Sequence, residues 1–147
     1  MKNDPRSAAG RHASIRKVMV RVPNWVGDAV MAVPALRELR RIFSSAHLTL
    51  VARDWVAGLF EGEGLADDLI PVRDASGLIR STRRFFEQSA RLGRERFDYA
   101  VLLQNAFGAA LAARAARVKT IAGYPTDGRR FLLDEIISLQ PDHKTAH

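Results

Sequence analysis

The chain has 147 residues, no cysteine and a formal net charge of +7. This length allows one domain with a real hydrophobic core, and the lack of thiols excludes a disulfide framework or a thiolate metal site. The polar, basic residues 1–17 contain no apolar stretch typical of a secretory signal, and no apolar run approaches the ~20 residues that span a bilayer. We therefore predict a chain that is soluble or peripheral to a membrane, and the lack of cysteine fits a reducing compartment.

Segments rich in β-branched residues alternate with helical patterns after a flexible basic tail at residues 1–15. The predicted strands and helices, in chain order, are strand 17–22, helix 28–43, strand 48–52, helix 55–60, strand 69–72, helix 76–94, strand 99–103, helix 106–116 and strand 119–122. Pro34 must kink the first helix or open the first turn of its main part, and Pro71 indicates a strand near a sheet edge. The alternation predicts an α/β, Rossmann-like parallel sheet with helices on both faces.

Two further features concern the second half of the chain. The helix over 76–94 is amphipathic, with a predicted inner face of Leu78, Ile79, Phe85, Phe86 and Leu92 and an arginine-rich outer face. After the fifth strand comes an apolar run at 131–139, with no sixth strand or packed last helix indicated. We expect the domain, residues 16–147, to be cut short rather than finished.

Ligands of an open parallel sheet bind where strands lead into helices, here the loops at 23–28 and 104–108. Gly27 would let a ligand approach the backbone, and Asp28 is either a helix N-cap or a reactive carboxylate. Trp25 could be an anchor packed on the sheet edge and Asn105 a turn residue. Neither loop has a dinucleotide or P-loop fingerprint, and the histidines lack metal-ligand spacing, so no cofactor or metal is predicted.

The run VRVPNWVGDAVM at 20–31 resembles the opening of the lipopolysaccharide heptosyltransferases, the family 9 glycosyltransferases, in its heptosyltransferase II form. The likeness continues through PALR at 34–37, RFD at 96–98, QNAF at 104–107 and GYPTDGR at 123–129. It covers about residues 17–147. The first motif is fairly specific, and the later ones are useful only together.

The resemblance implies the amino-terminal domain of a two-domain GT-B enzyme. Such an enzyme transfers heptose from ADP-heptose to an anionic lipid A-core acceptor, with inversion and without metal. The resemblance also implies that the chain is cytoplasmic and allows peripheral contact with the inner membrane. Asp28 would be the general base, and Asn24, Trp25, Gly27, Asn105 and Arg129 would contact substrate. ADP-heptose would bind to a second domain that this chain lacks, so the chain alone is expected to be inactive.

Gln104, Ala106 and Gly108 depart from the family, which often has a proline, a serine and a basic residue there, so one anion contact is in doubt. The alternative is a non-catalytic Rossmann-like module that binds anionic ligands or nucleic acid through its arginines. Under the enzyme hypothesis no nucleic acid is expected. Charge alone favours a third, simpler interpretation, in which the arginines lie on solvated helix faces.

Overall fold

The computed structural model describes residues 14–73, 77–103, 107–123 and 133–136. Six parallel strands form one sheet in the order β3-β2-β1-β4-β5-β6. The strands are β1 (Lys17–Arg21), β2 (His47–Arg53), β3 (Asp68–Val72), β4 (Tyr99–Leu102), β5 (Thr120–Gly123) and β6 (Glu135–Ile136). The predicted fold class, an α/β domain with a Rossmann-like parallel sheet, is confirmed.

Five helices connect the strands: α1 (Val26–Met31), α2 (Val33–Ile42), α3 (Asp54–Ala57), which a 3₁₀ turn (Gly58–Phe60) continues, α4 (Leu78–Arg94) and α5 (Phe107–Ala115). The single helix predicted over 28–43 is therefore two helices that meet at Ala32. Pro34 lies in the first turn of α2, where a missing backbone N–H costs no hydrogen bond. Of the two roles predicted for Pro34, the opening of the main helix is correct.

Each face of the sheet has its own hydrophobic cluster, because side chains alternate along a strand. Val20 and Leu50 belong to the cluster beneath α1, α2 and α3, together with Leu36 of α2. Val51 and Ile121 belong to the cluster beneath α4 and α5. Helices thus cover both faces, as predicted.

The outer strands agree only partly with the sequence prediction. β3 forms one edge of the sheet, as Pro71 indicated. At the other edge lies β6, a two-residue strand that the sequence analysis did not predict. Ile15, which was assigned to the tail, packs against the first cluster, whereas residues 1–13 lie outside the described ranges.

The predicted inner face of α4 is wrong for three residues. Leu78 is 86% exposed, Ile79 85% and Phe86 63%, whereas Leu92 is buried. The reason is the direction in which these side chains point: at ~100° per residue, Ile79 and Phe86 lie on a different side of the helix from Leu92. Neighbouring elements cover the side that contains Leu92, and Leu78 is the first residue of the helix, so all three apolar side chains remain exposed.

At the amino edge of the sheet, an aspartate directly precedes each of β3, β4 and β6. The backbone N–H of each aspartate donates to the carbonyl of one residue in the neighbouring strand. The carboxylate of the aspartate accepts the amide N–H of that same residue. The amide-to-carboxylate distances are 2.8 Å for Leu48 to Asp67, 3.1 Å for Lys17 to Asp98 and 2.8 Å for Ile121 to Asp134. A cation pairs with each carboxylate, namely Arg40, Lys119 and Arg114 respectively. We call these three residues the edge aspartates.

Each edge aspartate has a pKa below its ordinary value. For Asp67 the largest cause is the amide hydrogen bond from Leu48, followed by that from Arg40. For Asp98 and Asp134 burial raises the pKa, but the amide and cation contacts together outweigh it. The charged forms are therefore the ones that the folded chain stabilises.

This arrangement predicts acid sensitivity. A lowered folded pKa contributes stability above the unfolded value of ~3.9, and that contribution is lost as the pH falls through the folded pKa. We expect the free energy of unfolding, measured by urea denaturation, to fall steadily below about pH 4. Asp98→Asn should flatten this dependence, and an equally steep acid limb in that variant would contradict it.

Candidate functional site

The order of the strands reverses between β1 and β4, and their carboxyl ends lie side by side. Arg21 is in register with Leu102, and the N–H of Leu103 donates to the carbonyl of Arg21 at 3.0 Å. A ligand crevice lies at such a switch point in open α/β sheets. The two predicted loops therefore begin side by side at one edge of the sheet. Residues 104–106 of the second loop lie outside the described ranges.

Asp28 is not the N-cap of the first helix. That position belongs to Trp25, which is extended (φ −102°, ψ 140°) and makes no side-chain capping bond. Asp28 is the third residue of α1, and its side chain is exposed. It makes no side-chain hydrogen bond or ion pair with any described residue. The carboxylate is therefore available to a ligand, and the simple capping role is wrong.

Asn24 ties the loop after β1 to the end of β2. Its side-chain oxygen accepts a hydrogen bond from Nε of Arg53 at 3.3 Å, and its carbonyl accepts one from Nε1 of Trp55 at 2.7 Å. These contacts hold the backbone just before Trp25. Asn24 therefore sets the shape of the loop that presents α1.

The surface around Asp28 is apolar and uncovered by described residues. Trp25 is 72% exposed, so it does not pack on the sheet edge as an anchor, and Met31 is 81% exposed. Val26 and Val30 are also exposed. These four residues are called the α1 surface below. A Cβ added at Gly27 would meet nothing within 4 Å, so a ligand has room to reach this helix turn.

A cavity of about 260 Å³ opens beside this edge, between the sheet, α4 and α5. Arg21 and Arg53, the last residues of β1 and β2, line it, and Phe85 and Gln88 of α4 form a wall. The residues of α5 that are described along this cavity are small, which leaves the space open: Gly108, Ala109, Ala112 and Ala113. Its volume is just below the ~300–1,000 Å³ of typical small-molecule sites.

The two cavity arginines were not predicted as site residues. A signal existed, because each is the last residue of a strand and so reaches the carboxyl edge where ligands bind. Arginine at such a position favours phosphate or carboxylate groups, which its planar guanidinium binds in bidentate fashion. Within the described residues, no group of histidine or acidic side chains has the arrangement of a metal site.

Sequence comparison finds relatives along most of this chain. Over 127 residues, or 86% of the chain, it is 25% identical to lipooligosaccharide heptosyltransferase 2 of Haemophilus ducreyi. It is 28% identical over the same length to lipopolysaccharide heptosyltransferase 2 of Salmonella typhimurium. The chain is related to the heptosyltransferases. It spans only 36% of the length of each of these two heptosyltransferases. No protein-family model matches it.

Solved heptosyltransferase structures agree with this relationship. Escherichia coli ADP-heptose heptosyltransferase II superposes with a TM-score of 0.72 at 25% identity, over 86% of this chain and 36% of that one. A family 9 glycosyltransferase from Veillonella parvula has the same fold, with a TM-score of 0.74 at 20% identity over 85% of this chain and 36% of that one. The predicted family resemblance is thereby confirmed.

Two residues that the heptosyltransferase resemblance indicated, Asn105 and Arg129, lie outside the described residues. Asp28, Asn24, Trp25 and Gly27 all lie within one turn of the start of α1. Their roles toward a substrate are the subject of the proposal that follows.

Proposed function

We propose that this chain is the acceptor-binding part of an inverting, metal-independent heptosyltransferase that acts on the inner core of a lipopolysaccharide precursor. The observation that carries the proposal is the exposed Asp28 carboxylate, which has no described partner and lies at the switch point of the sheet. The identity with heptosyltransferase 2 sequences supports it. We assign the binding of ADP-heptose to a region other than these 147 residues.

In this reaction Asp28 acts as general base. Its carboxylate takes the proton of an acceptor hydroxyl while that oxygen attacks the anomeric carbon of the donor from the face opposite ADP. The new carbon–oxygen bond forms as the bond to the ADP oxygen breaks, and ADP leaves with the electron pair, so the anomeric centre is inverted. The third residue of a helix that begins at the switch point is a suitable place for this base, because ligands of such sheets bind at this edge.

The acceptor is a lipid A-core precursor with anionic groups, and the cavity arginines suit it. Arg21 and Arg53 bring two guanidinium groups to the same edge as Asp28. Trp25, exposed beside the base, offers an apolar face to a sugar ring, and Gly27 leaves room for it. A donor domain packed on the α1 surface would then close the crevice, since apolar surfaces of this kind mark interfaces.

The acceptor is assigned to this chain and the donor to another region, so the two ligands should differ in their binding to this chain alone. With no phosphate-binding loop, it should show no appreciable affinity for ADP in calorimetry. A water-soluble, deacylated inner-core oligosaccharide bearing phosphates and carboxylates should bind. Arg53→Gln should weaken that binding about tenfold or more, the effect of losing a charged hydrogen bond.

Arg37→Gln is the matched control, because Arg37 is exposed on α2, on the opposite face of the sheet from the cavity. It should leave oligosaccharide affinity unchanged. Micromolar binding of ADP would overturn the assignment of the donor to another domain. Binding of single-stranded nucleic acid that exceeds binding of the oligosaccharide would instead support the non-catalytic anion-binding module.

A further inference from the structure

The surface of α4 combines two features that the proposed reaction does not use. Leu78, Ile79 and Phe86 are large apolar residues that stay 63–86% exposed. The same helix has five arginines and one glutamate, an excess of four positive charges. All five arginines are exposed: Arg80, Arg83, Arg84, Arg91 and Arg94.

These residues have a definite arrangement around the helix. Ile79 and Phe86 are seven residues apart, so at ~100° per residue they form one stripe. Phe85, one step round the helix, faces the cavity instead and packs edge-on against Phe86 at 5.6 Å between ring centroids. The arginines occupy the adjoining outer side. α4 thus has a buried face, an exposed apolar stripe and a basic face.

We propose that the amino-terminal half of α4 is a membrane-binding surface for anionic phospholipid. A helix with a basic polar face and a stripe of large apolar residues lies in the plane of a bilayer interface, with its apolar side chains among the acyl chains. The excess of positive charge complements a layer of anionic headgroups. A soluble protein partner would instead need acidic side chains in positions that match the arginines. No helix within the described part of the chain is long and apolar enough to cross a membrane.

The place of α4 in the fold supports this assignment. The helix follows β3 and so begins at the carboxyl edge of the sheet, the edge that also contains Asp28. Its other half packs on the second cluster through Leu92. The apolar stripe is therefore preformed and needs no unfolding to meet a bilayer. If the proposed function is correct, the same contact brings the base toward a lipid acceptor.

Vesicle sedimentation with the 147-residue chain tests the surface, with no sugar or nucleotide present. We expect binding to vesicles of phosphatidylethanolamine with phosphatidylglycerol and far weaker binding to phosphatidylcholine vesicles. Ile79→Ser with Phe86→Ser should weaken binding at least roughly tenfold, because two apolar side chains lose their burial. Arg83→Gln with Arg84→Gln should weaken it roughly fivefold per arginine and reduce its salt dependence.

Matched controls lie on α2. Ile42 is 39% exposed and Arg37 is exposed, so Ile42→Ser and Arg37→Gln remove the same kinds of group elsewhere. Both should bind vesicles like the original chain. Because all the substituted side chains are exposed, thermal unfolding should show that each variant still folds.

A second measurement identifies the surface that enters the bilayer. The chain has no cysteine, so Ile79→Cys can be labelled uniquely with an environment-sensitive fluorophore. Its emission should shift to the blue on anionic vesicles, while a label at Met31→Cys on the α1 surface should not respond. Equal binding to both vesicle types, or a response at Met31 alone, would overturn the proposal. Loss of self-association in the Ile79 and Phe86 variant, with unchanged vesicle binding, would assign the stripe to a second copy instead.

Discussion

Asp28→Asn should lower the rate of heptosyl transfer about 10²–10⁴-fold, the usual contribution of a general base. The assay requires a form of the protein that also contains a donor-binding domain, with ADP release as the readout. The amide keeps the shape of the side chain but cannot take the proton of the acceptor hydroxyl. The acceptor affinity should change little, because the variant removes a step in the reaction rather than a binding surface.

The position of Asp28 inside α1 allows its chemical role to be separated from a role in stability. Asp28 is not the N-cap, so Asp28→Ala should be as inactive as Asp28→Asn and lose at most about 0.3–1 kcal/mol, the value of a negative charge in a first turn. Glu63→Gln, in the exposed turn before β3, is the matched neutral control. Near-normal transfer by Asp28→Asn would show that the base lies elsewhere. A large loss of stability in Asp28→Ala would restore a structural role.

Asp98→Ala should destabilise the chain by about 2–4 kcal/mol at neutral pH, the largest effect expected at the amino edge. Its Oδ2 accepts the amide N–H of Arg16 at 3.0 Å and that of Lys17 at 3.1 Å, and the side chain is only 21% exposed. A hydrogen bond to a charged group is worth ~1.5–3 kcal/mol, and the part-buried Lys17 N–H would be left without a partner. Urea denaturation measures the difference.

Lys119→Ala is the comparison that isolates the amide contacts. The Lys119 side chain is 76% exposed, and its ion pair with Asp98 should contribute less than about 1 kcal/mol. Asp98→Asn should fall between the two, because an amide oxygen accepts the same two N–H groups without the negative charge. If Asp98→Ala costs no more than Lys119→Ala, the carboxylate does not hold β1 to β4 in the way described.

Much of the fold could be predicted because its strands are buried on both faces. Runs such as residues 18–20 and 99–103 are wholly or almost wholly apolar, which is typical of central parallel strands. The start of α1 was placed too late because Trp25 caps it without a side-chain bond, so the usual polar signal is missing. The exposed stripe of α4 could not be predicted, since periodicity shows which residues are apolar but not how much of the helix surface the neighbouring elements cover.

The candidate site, like the fold, could be predicted only in part. The position of Asp28 at the carboxyl end of β1 followed from strand–helix alternation, which is a local pattern. The cavity did not, because Arg21 and Arg53 are 32 positions apart in the printed sequence and meet only when β1 pairs with β2. β6 was missed for a related reason: two residues have no periodicity, and this strand exists through its pairing with β5.

The edge aspartates have a consequence for how this domain can change. All three fasten neighbouring strands at the amino edge, whereas the site lies at the carboxyl edge. A slip of one residue would turn every side chain of a strand to the wrong face, and these paired hydrogen bonds oppose it from the far end. The loops after β1 and β4 can therefore be lengthened or exchanged without altering strand alignment, so the domain is suited to grafting new acceptor specificities onto an unchanged sheet.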